Sequence, residues 1–141
     1  MKTATKATDV LSELKMLAKE YSGDRKTQVA AGVYLNGSLK FGVNHLPYDL
    51  PETDIANRTQ LFYDTIMHAE VDMANKVGHT LKGATVYVTL FPCDKCAARL
   101  IAEGVKHIIV AEDRPTASYI IKAKELLDYA HVTYEVINTT K

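Results

Sequence analysis

Two short stretches, His68-Ala69-Glu70 and Pro92-Cys93-Asp94-Lys95-Cys96, set the terms for any fold this chain adopts. The first offers an imidazole and a carboxylate two residues apart. The second offers two thiols three residues apart, behind a proline. His68, Cys93 and Cys96 form a ligand set that suits tetrahedral Zn²⁺ and leaves its fourth position open for water. Zinc in such a site lowers the pKa of that water toward neutrality. Glu70 lies beside the ligand set without being needed in it, so its carboxylate is free to move protons. A fold that uses all four residues must bring two distant stretches to one point.

Each half also has a plainer reading. An H-x-E triplet suits the surface of a helix. A single C-x-x-C suits a redox pair or half of a structural zinc site. Cys93 and Cys96 are the only two cysteines, so no second pair closes a four-thiolate site. A redox pair gives no reason for His68 and Glu70 upstream. H-x-E followed by P-C-x-x-C is the signature of zinc nucleobase deaminases, so hydrolytic deamination is the expected chemistry.

The length of 141 residues fits one domain, 1–141, with a sizeable core. Lys+Arg and Asp+Glu each number 17, for a formal net charge of zero. A surface built to hold nucleic acid would show a basic stripe, so no nucleic-acid partner is expected. A small anionic substrate needs only one or two local cations. Two cysteines at metal spacing point to a reducing compartment. Met1 to Val10 carries no apolar leader region, and no run is long enough to span a bilayer. These features predict a soluble cytoplasmic protein without a membrane partner.

In chain order, Thr8 is the candidate N-cap of a helix with Val10, Leu14, Leu17 and Tyr21 at helical spacing. Leu11 and Ala18 widen the stripe, and Gly23 ends it. Gln28 to Leu35 and Leu39 to Val43 read as strands around Asn36-Gly37, a strong hairpin signal. His45 to Met67 has no clean period and carries Pro47 and Pro51. A short helix is expected near Glu52 to Asn57, and an extended run through Leu61-Phe62-Tyr63. His68 to Val77 reads as a helix with Glu70, Met73, Ala74 and Val77 on its inner stripe and Gly78 as its stop. A carboxylate opening that stripe is costly unless paired or working. Ala84 to Leu90 is a buried-looking strand, and Pro92 stands at or near the first position of the next helix. Cys93 and Cys96 share one face of that helix with Ala97 and Leu100, and a helix N-terminus favours the thiolate. His107 to Ala111 is a strand. Thr116 is the candidate cap of a helix through Tyr129, with Tyr119, Ala123, Leu126, Leu127 and Ala130 inward. Val132 to Ile137 is the last strand. The last two strands are each reached through a helix, so strands three, four and five should be parallel. The expected fold is α/β: a five-stranded mixed sheet with helices on both faces, in three α/β/α layers. Its ligand should lie beyond the carboxyl ends of the parallel strands.

These stretches resemble the cytidine and deoxycytidylate deaminase family, and most of all its small deoxycytidylate deaminase-like members. The similarity runs from about Val29 to Val110 and is densest from His68 to Val105. Gly83 to Cys93 resembles the family's third strand and metal turn. Ile101-Ala102-Glu103-Gly104-Val105 resembles its helix exit, and Gly42-Val43-Asn44 its G-x-N at the end of strand two. The resemblance implies a cytidine deaminase-like fold, zinc on His68, Cys93 and Cys96, and Glu70 as proton shuttle. It also implies Asn44 on the substrate, with backbone near Ala69 and Leu90-Phe91 holding the pyrimidine edge. The chain departs from the pattern where His45 follows G-x-N and where His131 precedes the last strand. It keeps no cysteine for a second zinc, so little control by dCTP or dTTP is expected.

The leading expectation is deamination of dCMP to dUMP with release of ammonia. The alternatives are a free nucleoside or another aminated heterocycle such as guanine, and a zinc-stabilised binding module without turnover. A cation reaching the 5′ position would separate nucleotide from nucleoside; Lys40, His45, Arg58 and Arg114 are the candidates, with Arg114 placed on the rim. Self-association into a homo-oligomer is also expected.

Overall fold

The computed structural model describes residues 6–24, 27–46 and 65–137. The expected helix near 52–57, the extended run at 61–63 and Arg58 lie outside the described residues.

Helix α1 (Ala7–Tyr21) starts two residues earlier than the Thr8 cap implies. Lys6 is the N-cap, and its carbonyl accepts from the N–H groups of Asp9 and Val10, which closes the first turn ahead of Thr8. Val10, Leu11, Leu14 and Ala18 are buried. Tyr21 is exposed at the far end, tilted against Phe41 with ring centroids 6.1 Å apart.

Strands β1 (Ala30–Leu35) and β2 (Ser38–Val43) form the expected hairpin. Asn36 and Gly37 both take left-handed φ, 55° and 79°, as a two-residue type I′ turn requires. Strand β1 also pairs antiparallel with β3 (Thr85–Leu90). From β3 the chain runs through α3 (Asp94–Ala102) to β4 (His107–Glu112), then through α4 (Ser118–Tyr129) to β5 (Thr133–Val136). Strands β3, β4 and β5 are parallel, and the sheet order is β2-β1-β3-β4-β5. His131 enters β5 with φ 63°, the left-handed conformation its position demands.

The two faces of the sheet are covered unequally. On one, α1 packs Val10, Leu14 and Ala18 against Ala30 and Val43, and Leu11 against Ile109 and Ala111. On the other lie α2 (Ala69–Val77), α3 and α4. They contribute Met73, Leu100, Ile120 and Leu127 against Val86, Val88, Ile108 and Val110. Alternate residues of β3 and β4 thus feed opposite cores. The result is the expected three-layer α/β/α arrangement.

Two local contacts seat α2 on the sheet. Gly42 lets the helix lie directly on β2: a Cβ there would fall 2.3 Å from Met73 N and 2.7 Å from Ala69 O. Asp72 then fastens the two elements, its carboxylate accepting from Val43 N (3.1 Å), from His45 Nε2 (3.1 Å) and from Lys76 (3.3 Å).

The stripe expected for α4 is displaced. Ala117 N donates to Arg114 O at 3.0 Å, and this turn delays the helix until Ser118, beyond the expected Thr116 cap. The buried residues are Ile120, Ala123 and Leu127, while Tyr119 and Leu126 face outward. The core face is centred on Ile120, Ala123 and Leu127, and Tyr119, one residue or about 100° from Ile120, falls off its edge. Among the described residues no helix is long and apolar enough to cross a membrane.

Candidate active site

Two helix N-termini meet at one point, and each carries a candidate ligand at its cap. His68 is the N-cap of α2, with extended backbone (φ −75°, ψ 155°), and its carbonyl accepts from Asp72 N at 3.0 Å. Its imidazole therefore stands outside the helical spiral, whereas Glu70 lies in the first turn. This is how side chains two apart converge, which a regular helix would forbid. Cys93 is likewise the N-cap of α3, one residue after Pro92. Its Sγ accepts from Cys96 N at 3.5 Å, and its carbonyl from Ala97 N at 2.8 Å. Pro92 thus precedes the cap, leaving the cap itself to a thiol.

His68 Nδ1 lies 3.2 Å from Cys96 Sγ and 3.6 Å from Cys93 Sγ. The three donor atoms are all within 4.8 Å of one another. A tetrahedral ion with Zn–N of about 2.0 Å and Zn–S of about 2.3 Å spaces such atoms roughly 3.6 Å apart, so the set fits zinc. The Cys93 thiol is pushed down to about 4, first by the Cys96 hydrogen bond and, against burial, by that of His68. Cys96 is pushed up by the same bond to Cys93 and by burial. The hydrogen bond to Cys93 raises the His68 pKa, with burial opposing it. Both cysteines are free thiols, not a disulfide.

Glu70 is 3% exposed. Burial raises its pKa to about 7, opposed by a hydrogen bond from its own backbone N–H and by the His68 charge.

A cavity of about 410 Å³ opens over this group at the carboxyl ends of β3 and β4. His68, Ala69, Glu70 and Cys93 line its inner part, and Val29, Ile66, Leu90 and Phe91 give it apolar walls. Asp94, Arg114 and Tyr119 also line it, and the last two are about half exposed, at 48% and 46%. His68, Ala69, Glu70, Leu90, Phe91, Cys93 and Arg114 are therefore on one cavity, with Cys96 just behind it.

The fit is uneven for Asn44. It lines the cavity, yet its Oδ1 accepts from Val29 N (3.0 Å) and Ser22 Oγ (2.6 Å), and its Nδ2 donates to Thr27 O (2.7 Å). One amide hydrogen is left for anything else. Lys40 and His45 are absent from the lining. His45 is held by Asp72 and by Leu46 O at 2.6 Å. Tyr119, Asp94, Asp24 and Thr27 line the cavity without having been singled out from sequence. Asp94 lies inside the cysteine motif and could have been found there. Tyr119 carried no such signal, because its spacing fits a core stripe.

The model of the cytidine and deoxycytidylate deaminase zinc-binding region matches residues 4–112. A probable deoxycytidylate deaminase of Caenorhabditis elegans is 44% identical over 73 residues, 51% of this chain and 36% of that protein. The deoxycytidylate deaminase of Pongo abelii is 31% identical over 128 residues, covering 84% of this chain and 72% of that protein. Among solved structures, the dCMP deaminase of cyanophage S-TIM5 in complex with dCMP and dUMP superposes with a TM-score of 0.72 at 20% identity. That alignment covers 92% of this chain and 94% of the phage chain, so the two share a fold. With its metal-binding motifs at two facing helix caps, the chain belongs to the cytidine and deoxycytidylate deaminase family.

Proposed function

We propose that the chain is a zinc-dependent hydrolase that deaminates dCMP to dUMP with release of ammonia. The observation that carries this reading is the buried Glu70 carboxyl beside three metal-type donors, at the inner end of a cavity of about 410 Å³, within the usual range for small-ligand pockets. The choice of dCMP is supported by relatives named deoxycytidylate deaminase and by a like-folded phage enzyme described with dCMP and dUMP.

Zinc held by His68, Cys93 and Cys96 would supply a Lewis acid that makes water reactive near neutral pH. Glu70 carries the protons. It takes one from the attacking water, delivers it to N3 of the cytosine ring, and passes the second to the departing amino group. A C4–O bond forms, the C4–N bond breaks, and dCMP plus water become dUMP plus ammonia. Leu90, Phe91, Val29 and Ile66 keep bulk water from the ring. Phe91 N–H already donates to Glu112 O at 2.8 Å. The pyrimidine edge therefore falls to the Leu90 carbonyl side and to Ala69 N–H, which has no partner within its helix. Asn44 holds the 22–29 connection and offers its remaining N–H to the sugar. Arg114 meets the phosphate, whose dianion cannot be buried unpaired.

In this reading residues 1–141 act as one deaminase domain, the reducing cytoplasm keeps both thiols free, and the protein works as a homo-oligomer without nucleic acid. The test is a panel of cytosine, deoxycytidine, dCMP and dCTP, with elemental analysis of the same preparation. One zinc per chain and fastest turnover of dCMP are expected. Equal rates on deoxycytidine and dCMP would remove the nucleotide assignment, and absence of zinc would remove the chemistry.

A further inference from the structure

The outer wall of the cavity depends on the short connection between β4 and α4, which delivers Arg114, and on the first turn of α4, which delivers Tyr119. This connection is fastened to the body by an ion pair: Lys124 Nζ of α4 donates to Asp113 Oδ2 at 2.6 Å. Both side chains are mostly buried, at 27% and 19% exposure. The same ammonium lies 5.1 Å from the Phe91 ring centroid. Phe91 is held in turn by the edge of Tyr134 in β5, with centroids 5.4 Å apart and planes at 86°. Lys124 therefore ties the end of β4, the β3–α3 turn and α4 together at the back of the cavity. Asp113 Oδ1 is buried with no hydrogen-bond partner among the described residues, so Lys124 is the contact that offsets burial of this carboxylate. Among the described residues Arg114 has no comparable anchor. Its contact with Glu112 is 3.6 Å long and exposed, and screening by water makes such a pair weak.

We propose that Lys124 is a positioning residue: by clamping Asp113 beside Phe91 it fixes the backbone that presents Arg114, and so sets the preference for a nucleotide over a nucleoside. This rests on the assignment of Arg114 to the substrate phosphate. The aromatic ring under the ammonium makes the clamp specific. Cation and ring attract, and the ring excludes water that would otherwise loosen the ion pair. Phe91, which lines the cavity, keeps the Tyr134 ring as its own support, so the wall that meets the base does not depend on Lys124 as the Arg114 connection does.

The test compares Lys124→Met with Lys124→Arg, alone and over Arg114→Ala. Methionine keeps an apolar stem and removes the charge. The double change Asp113→Asn with Lys124→Met removes the stranded carboxylate as well, should the single variant fold poorly. Lys124→Met is expected to raise the KM for dCMP roughly tenfold, with zinc content and the deoxycytidine reaction kept, and Lys124→Arg to restore most of the loss. Over Arg114→Ala the same change should add no more than about twofold, because both act on one contact. Equal losses on both substrates, or full additivity, would overturn the clamp. Hydrogen exchange at the Ala117 amide, which bonds Arg114 O, decides it without any substrate. Faster exchange there in Lys124→Met, with α4 unchanged, supports the clamp, and unaltered protection overturns it. Wild-type turnover that ignores the phosphate would instead remove the nucleotide assignment and leave the exchange result standing.

Discussion

The inner and outer parts of the cavity are built on different principles. The inner part is made by backbone: His68 and Cys93 are helix caps, their carbonyls accept helical N–H groups, and Glu70 is sealed in a first turn. Side chains so placed lose little freedom on taking up a ligand. The outer part is made by long or half-exposed side chains, Arg114 on a connection without regular structure and Tyr119 in the first turn of α4. Ordering an arginine there costs up to about 2 kcal/mol of rotamer freedom. In the proposed reading, chemistry falls to the rigid region and discrimination to the adaptable one. The contrast is sharpest at Glu70. Replacing it with glutamine keeps shape and burial but removes the proton carrier. Zinc content and thermal unfolding should stay near wild type, while kcat falls by about 10²–10⁴-fold, the usual share of a positioned acid–base group. Near-normal turnover of Glu70→Gln would show that the inner region does not do the proton work.

The same contrast explains what could be read from the residues alone. Helix caps leave short, ordered marks in a sequence, so H-x-E and P-C-x-x-C announce the inner cluster, and Asn36-Gly37 announces the hairpin that starts the sheet. The three parallel strands follow from their helical connections. The outer part leaves no such mark. Tyr119 satisfies a core spacing but stands at the edge of the face that Ile120, Ala123 and Leu127 bury. Lys40 and His45 are of the right residue type but lie away from the lining, and His45 is held by Asp72. The tie of Lys124 to Asp113 and Phe91 is set by the distance between three elements, which no local pattern encodes.

The outer region is probed by Arg114→Ala. A charge-assisted contact is worth roughly 1.5–3 kcal/mol, so the KM for dCMP should rise on the order of ten- to a hundredfold. Deoxycytidine, lacking the phosphate, should keep its slower rate. Equal losses on the two substrates would place Arg114 in the framework and blur the division between the two regions.

A smaller effect is expected from the support behind the inner region. Asp72 holds the first turn of α2 on the end of β2, through Val43 N, His45 and Lys76. Burial alone would raise the Asp72 pKa, but the His45 hydrogen bond, the Val43 N–H and the Lys76 charge outweigh it and hold the pKa below the ordinary value. A carboxyl whose folded pKa is depressed contributes stability above its unfolded pKa, about 3.9, and loses it as pH falls through the folded value. The contribution is therefore complete at neutral pH and fades only below about pH 4. Asp72→Asn should lower unfolding free energy at pH 7 by about 1–3 kcal/mol, the cost of weakened buried hydrogen bonds. The gap between the two proteins should close toward pH 3, as the wild-type carboxyl takes up its proton. Urea unfolding across that range measures the gap directly. A difference that stays constant with pH would mean that Asp72 acts by shape and not by charge. The seating of α2 on β2 would then rest on the close approach at Gly42 and on core packing.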